Sequence, residues 1–553
     1  MGVQDIGFDL THPNFFSKDM SRYRIKAMWD QLSHDTIAST LVVGRDYVGE
    51  DALLGVGCPL DGLTQTHGTH TAGIAAGSGA EGNGVVSPYQ GMAPDADIVM
   101  VANATSNNAA LIDSADYYKY TYATDALGFK YIFDYADRHR QPCVINFSEG
   151  GHEDLHGYDP LYYEVLDSLL GPGHILVASA GNDGNLVNHI HKPKGQESAG
   201  SFIIGNPDKA FFTCKSSRPF VFRTTIYADE LHPTVVDIPT GRVISAPDSL
   251  FADTITIGGR RYDWQIMAYP NYYEPTETAY DFVLTCSDRL GSGVYASLQL
   301  VGSDADVELF RMSGYLIERP LDPQLNAGDN SYSIHSPSSA PRAISVGATG
   351  YRTQFVNYLG ETKVYNHGTD GKRIPFSGVG PAFDGRVKPD VVAPGQNVIS
   401  SYSSFFISNP SQPLSALSSD VRHFDFNGRT FAWNSNAGTS MSSPVVAGAI
   451  ALWLQVNPRL TPEDCISIFR KTCTRYDSSL PVPNNLYGYG QIDVYAGLQE
   501  ALRLATGIEE MTATAGRPDG LHVYTLDGRY CGTDTGKLLS GIYIRGGRKF
   551  VKP

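Results

Sequence analysis

A chain of 553 residues, 42% hydrophobic and 18% charged, has the composition of a folded globular protein with room for about two to four domains, one of them large. A formal charge of −16, with no basic patch to offset it, argues against nucleic acid or an anionic membrane surface as partner. The longest nearly unbroken apolar run, Val445–Leu454, is far shorter than the roughly 20 residues that span a bilayer and reads as a buried helix.

The chain opens on "MGVQDIGFDL", which has neither the basic nor the apolar region of a targeting segment, so such a segment has been removed or the true start lies upstream. Asp5 ends an apolar stretch just before a Gly turn, a place where an isolated Asp is more often a turn residue. "TQTHGTHTAG", residues 64–73, sets His67 and His70 three apart among small residues. A zinc site would need further ligands, and no nearby Cys, Asp or Glu stands at ligand spacing. The Gly, Thr and Ala neighbours instead predict a helix through a crowded core, with His67 at its start facing outward and His70 one turn on.

From Ala96 to about 205, apolar runs such as "ADIVMVA", "PCVINFS" and "HILVASAGN" alternate with amphipathic stretches, the pattern of βαβ units and a parallel sheet. The fold class is α/β. Between 206 and 335 the texture changes to short β-rich segments separated by Gly, Pro, Asp and Ser, with no helical period, which predicts a β-sandwich. The α/β texture resumes over 336–505, so the sandwich is inserted in the domain, and an inserted domain with its own core is expected to be removable. Residues 506–553 read as a small all-β tail, with "LDGR" and "RGGR" as hairpin turns. The seven cysteines form no CxxC pair and suggest neither a zinc knuckle nor a dense disulfide frame.

"NAGTSMSSPVVAGAIALWL", residues 436–454, places Ser440 just ahead of a helix with Pro444 in its first turn. A serine there has a free backbone N–H and sits in the positive end of the helix field, which suits a nucleophile that must hold an oxyanion. The alternative for any such serine is an N-cap. A base for Ser440 fits His67, and a base that takes a proton from serine needs a carboxylate behind it, which Asp5 supplies.

Together "QDIGFDLTHPNF", "THGTHTAG" and "GTSMSSP" resemble the three catalytic motifs of the subtilisin-like serine peptidases, in that family's order of Asp, His and Ser. The resemblance covers about 1–205 and 336–505. It implies that Asp5 orients His67, that His67 is general base and acid, that Ser440 attacks the scissile carbonyl, and that Asn182 in "AGNDG" donates its amide to the oxyanion. His70 becomes a structural residue. It further implies that "VINFSEGG" pairs with substrate backbone through Ser148, Glu149, Gly150 and Gly151. Glu149 departs from the family's usual apolar residue: either it lines the specificity pocket and favours basic side chains, or it points to solvent. The start departs as well, because only four residues precede Asp5 where the family's first strand is longer, leaving Asp5 without residues that normally hold it.

The inserted segment is similar in texture to jelly-roll insertions of some bacterial members, and the tail resembles C-terminal sorting domains of proteins exported by Bacteroidetes, which implies an extracellular or cell-surface location. The resulting expectation is a secreted serine endopeptidase acting on peptide or protein substrates, with no cofactor, no metal and no membrane span. Calcium sites and oligomeric state are not legible in the sequence. The rivals are a catalytically silent binding protein on the same fold and a zinc hydrolase built on His67 and His70.

Overall fold

The computed structural model describes residues 1–37, 39–229, 231–413, 417–506, 522–525, 529–545 and 548–552. They fall into two compact units, Met1–Leu502 and Arg503–Pro553.

The first unit is built on an eight-stranded sheet. Its strands are β1 (Gly2–Asp5), β2 (Ile25–Asp30), β3 (Arg45–Val48), β4 (Ile98–Ala102), β5 (Cys143–Phe147), β6 (His174–Ser179), β7 (Ile344–Thr349) and β8 (Val391–Pro394). Their spatial order is β8-β7-β6-β5-β1-β4-β2-β3, and every pairing is parallel except that of the edge strand β3 with β2. The expected α/β class is therefore observed.

Strand alternation sends successive side chains to opposite faces, and both faces are covered. On one face Val99, Val101, Ile145 and Leu176 pack against Phe129, Ile132 and Phe133 of α2 (Tyr122–Arg138) and Leu166 of α3 (Tyr158–Leu169). On the other, Val3, Met28, Ile98 and Met100 meet Ala72, Ala75 and Ala76 of α1 (His67–Ala76). Every residue of α1 except His67 is buried, which is why its side chains are so small. The apolar run at Val445–Leu454 lies in α4 (Thr439–Val456), which is long and apolar enough to cross a membrane but mostly buried inside the fold.

β1 is central. Gly2–Gln4 pair on both sides, with Val99–Val101 and with Ile145–Phe147, and Asp5 itself pairs with Ala102, so the strand that carries Asp5 is held from two sides. This corrects the expectation that Asp5 lacks support.

The predicted sandwich is present. A six-stranded sheet packs on a five-stranded one, with Phe212, Trp264 and Phe282 of the first meeting Phe222, Leu298 and Leu300 of the second. Its strands begin earlier than expected, however, at His189–Lys192 and Ser198–Ile204, and end at Tyr315–Ile317. The boundary at 206 thus cuts off two strands, because "HILVASAGN" and the strands after it share one β-rich texture and only pairing separates them.

The second unit contains a four-stranded antiparallel sheet formed by Val523–Thr525, Tyr530–Gly532, Gly541–Arg545 and Arg548–Lys552. The turns expected at "LDGR" and "RGGR" rest on residues 526–528 and 546–547, which lie outside the described residues.

Candidate active site

Asp5 ends β1, fully buried, and its two carboxylate oxygens are divided between different tasks. Oδ1 lies 2.6 Å from His67 Nδ1 and accepts the Ile6 N–H at 2.8 Å, while Oδ2 accepts the Thr71 hydroxyl at 2.8 Å. Thr71 stands one helical turn after His67, so α1 presents both partners to the same carboxylate. The turn that follows needs Gly7: its φ is +72°, and a Cβ there would lie 2.1 Å from the Gln65 carbonyl carbon. Asp5 fixes His67 Nδ1 as the protonated nitrogen and leaves Nε2 free to accept. Burial disfavours the imidazolium, but the charge and hydrogen bond of Asp5 outweigh it and raise the His67 pKa above the ordinary 6.5. The ring is still 30% exposed, so it can be reached from the cavity.

His70 is different in every respect. It is fully buried, its Nε2 donates to the Asn434 carbonyl at 2.9 Å, and burial pushes its pKa down to about 4. It ties α1 to the strand Arg429–Asn436 and does not face the cavity that His67 lines.

Ser440 is the second residue of α4, not a residue ahead of the helix, and Pro444 stands inside the helix and not in its first turn. The shift matters chemically. Proline has no N–H to give to the carbonyl four residues back, which is that of Ser440. The vacancy is filled by Ser148, whose hydroxyl donates to the Ser440 carbonyl at 2.9 Å. Ser148 is in turn held by Asn146 Nδ2 at 3.0 Å, and Asn146 Oδ1 accepts from Ser443 at 2.7 Å. The Ser440 hydroxyl donates to the Ser148 carbonyl at 3.1 Å, so in this resting geometry it is parked on the backbone.

Asn182 is fixed by its carbonyl end. Oδ1 accepts the Thr439 N–H at 2.9 Å and the Thr439 hydroxyl at 3.0 Å. An amide N–H can only donate, so the atom facing Thr439 is the oxygen and Nδ2 keeps its hydrogens for another acceptor. The Ser440 N–H, in the first turn of α4, has no intrahelical acceptor either. Asn182 Nδ2 and the Ser440 N–H are thus both left as donors near the start of α4.

Ser148, Glu149, Gly150 and Gly151 line a cavity of about 470 Å³ together with His67 and Ser440. Glu149 does not turn away to solvent: Asn103 Nδ2 donates to its Oε2 at 2.8 Å. Burial first, and the Asp5 charge second, hold its carboxyl well above the usual carboxylate range. Asp125, on the same wall, is pushed up to about 7 by burial. Among the described residues no Lys or Arg lines the cavity; Glu149 and Asp125 are its acidic groups and His67 its basic one.

Sequence reasoning did not find Thr71, Asn103, Thr439 or Asp125. Thr71 carried a signal in its spacing from His67, and Thr439 in its place directly before Ser440; Asn103 and Asp125 are distant in sequence from the motifs and carried none. Among the described residues, His152, Asp183 and His335 bring ligand-type atoms within 4.8 Å of one another. The guanidinium of Arg311 already provides positive charge there, with Nη2 2.5 Å from Asp183 Oδ2.

A parallel α/β scaffold that sets His67 and Ser440 on the wall of one cavity, with the buried Asp5 behind His67, is the arrangement used by Ser/His/Asp hydrolases. The chain belongs to the subtilase family, whose model matches residues 59–274 and 324–490. The matched segments hold His67, residues 148–151, Asn182 and Ser440, while Asp5 lies ahead of them. The serine protease AprX of Bacillus subtilis is 30% identical over 168 residues, covering 30% of this chain and 32% of its own. The subtilisin-like protease SBT5.5 of Arabidopsis thaliana is 26% identical over 299 residues, covering 51% of this chain and 32% of its own. This chain thus spans about a third of the length of those two relatives. The Clostridium perfringens CspB protease structure superposes with a TM-score of 0.62 at 18% identity, over 91% of this chain and 94% of that one.

Proposed function

We propose that this chain is a serine endopeptidase that cleaves peptide bonds through an acyl-enzyme. The observation that carries the reading is the 2.6 Å pairing of Asp5 with His67 Nδ1, at the start of a helix that shares one cavity with Ser440 at the start of another.

A substrate strand laid along Ser148–Gly151 would claim the Ser148 carbonyl as an acceptor and release the Ser440 hydroxyl. Turned toward His67, that hydroxyl gives its proton to Nε2 as Oγ bonds to the scissile carbon. The resulting oxyanion takes hydrogen bonds from Asn182 Nδ2 and the Ser440 N–H. The imidazolium, stabilised by Asp5, then protonates the leaving amine and the C–N bond breaks. Water attacks the ester by the same route in reverse, with His67 again as base. Glu149 and Asp125, whose pKa values burial raises, can release their protons to solvent and pair with a cationic side chain, which makes the cavity a host for Arg or Lys.

The reading extends to an extracellular or cell-surface enzyme. Its support is the all-β tail, whose separate four-stranded unit suits an export-sorting role. Detection of the protein outside the cell, and its retention inside when 503–553 are removed, tests that part.

The chemistry is tested with a fluorophosphonate probe and a peptide library. Labelling that Ser440→Ala abolishes, together with hydrolysis lost in the same folded variant, is expected. A wild-type protein that neither labels nor cleaves any peptide would instead favour a silent binding protein.

A further inference from the structure

Arg311 belongs to the inserted sandwich, on the strand Val307–Ser313, and its side chain is almost completely buried. It leaves its own sheet to reach the loop that carries Asn182. Nη2 lies 2.5 Å from Asp183 Oδ2 and 3.3 Å from His152 Nε2, Nε donates to Asn188 Oδ1 at 2.8 Å, and Nη1 donates to the Gly314 carbonyl at 3.2 Å.

These contacts close around one residue. Asn188, held by Arg311, donates its own Nδ2 to the Asp183 carbonyl at 2.7 Å, so both the side chain and the backbone of Asp183 are tied to the guanidinium. On the far side His335 Nε2 stands 3.4 Å from Asp183 Oδ2, and its backbone N–H donates to the Ala180 carbonyl at 3.1 Å. The His335 ring also packs on Gly181, where a Cβ would come within 2.7 Å of it and φ is +101°. Residues 180–183 are thus gripped on both sides of Asn182. His152 Nε2 stands 3.3 Å from both Arg311 Nη2 and Asp183 Oδ2, and burial lowers the pKa of its ring to about 4.

A guanidinium suits this task because its planar fork can serve several fixed acceptors at once, which a single ammonium cannot.

We propose that Arg311 is a positioning residue for the reaction: by clamping Asp183 and Asn188 it sets where the Asn182 amide sits relative to Ser440. The inserted sandwich then takes part in transition-state stabilisation without touching substrate. This inference rests on the peptidase reading above.

The test is a double-mutant cycle on a peptide substrate, measured well below the melting temperature of each variant. Arg311→Met is expected to lower kcat about 10- to 100-fold with little change in KM, the scale of loss for a displaced catalytic group. Arg311→Lys, which keeps the charge but not the fork, should recover part of that loss. In an Asn182→Ala background both substitutions should cost less than about 2-fold, because the group they position is gone. Losses as large with Asn182→Ala as without it would overturn the proposal, as would wild-type kcat in soluble Arg311→Lys and Arg311→Met. Should Arg311→Met prove insoluble, the Arg311→Lys arm with and without Asn182→Ala decides alone. Failure of the peptidase reading is distinct: there the wild-type protein itself would not cleave or label.

Discussion

Ser148 and Ser440 are hydrogen-bonded to each other twice, each hydroxyl donating to the other's carbonyl, at 2.9 and 3.1 Å. The bond to the Ser440 carbonyl repairs the gap that Pro444 leaves in the helix. The bond to the Ser148 carbonyl holds the nucleophile on an acceptor that a bound peptide strand would take over.

Ser148→Ala should therefore weaken the start of α4. A buried carbonyl left without its donor costs about 1–3 kcal/mol, so a lower melting temperature is expected with reduced kcat. Ser148→Thr, which keeps the hydroxyl, should behave nearly as wild type. Calorimetry together with steady-state kinetics checks both, and an Ala variant with unchanged melting would contradict the repair role.

His67 must be neutral to act as base, and Asp5 raises its pKa above 6.5. The acidic limb of kcat/KM should accordingly have its midpoint above 6.5. Asp5→Asn removes the charge, so the limb should move to lower pH while the rate falls by several orders of magnitude, about 10⁴-fold in the general triad case. A limb that stays in place in that variant would assign it to another group.

Burial pushes Asp30 up to about 6 and Asp61, Asp125 and Glu153 up to about 7. A carboxyl whose pKa is raised on folding holds its proton more tightly in the native state. Its contribution is complete below the unfolded value near 4 and is lost as pH rises through the folded value. Melting temperature should thus fall between about pH 4 and 7 and level off above that. Glu153 is the cleanest probe: Oε2 accepts the Phe383 N–H at 3.0 Å, while Oε1 is buried with no partner. Glu153→Gln mimics the protonated form and should flatten the decline, whereas a profile identical to wild type would exclude Glu153 from it.

Glu149→Leu should shift cleavage from basic toward large apolar side chains at the residue before the cut. Truncating one member of a desolvated charge pair costs about 2–5 kcal/mol, which a library profile resolves easily. Indistinguishable preferences for the two proteins would mean that Glu149 plays no part in specificity.

Excision of 206–335 with a Gly/Ser linker should yield insoluble protein, contrary to what the sequence texture suggests. The cut strands His189–Lys192 and Ser198–Ile204 from their sheet partners and removes Arg311 from Asp183. An uncompensated buried charge of this kind is strongly destabilising. Soluble, cooperatively melting protein from any linker length would refute the expectation.

The sequence by itself determined the α/β class and the sandwich, and it put forward Asp5, His67 and Ser440 as candidates. Strand and helix periods are local patterns, and the three short motifs each depend only on their own neighbours. The structural role of His70 followed from the family resemblance, and its burial agrees with it. Tertiary structure alone decided that Asp5 sits in mid-sheet, that Pro444 works from inside α4, and that Glu149 faces the cavity and meets Asn103. It likewise decided where the sandwich starts and that its Arg311 reaches Asp183, 128 residues away in sequence. Such pairings arise when the sheet and its crossovers bring distant segments within hydrogen-bond range, and a hydrogen bond between remote residues leaves no period or spacing in the chain that forms it.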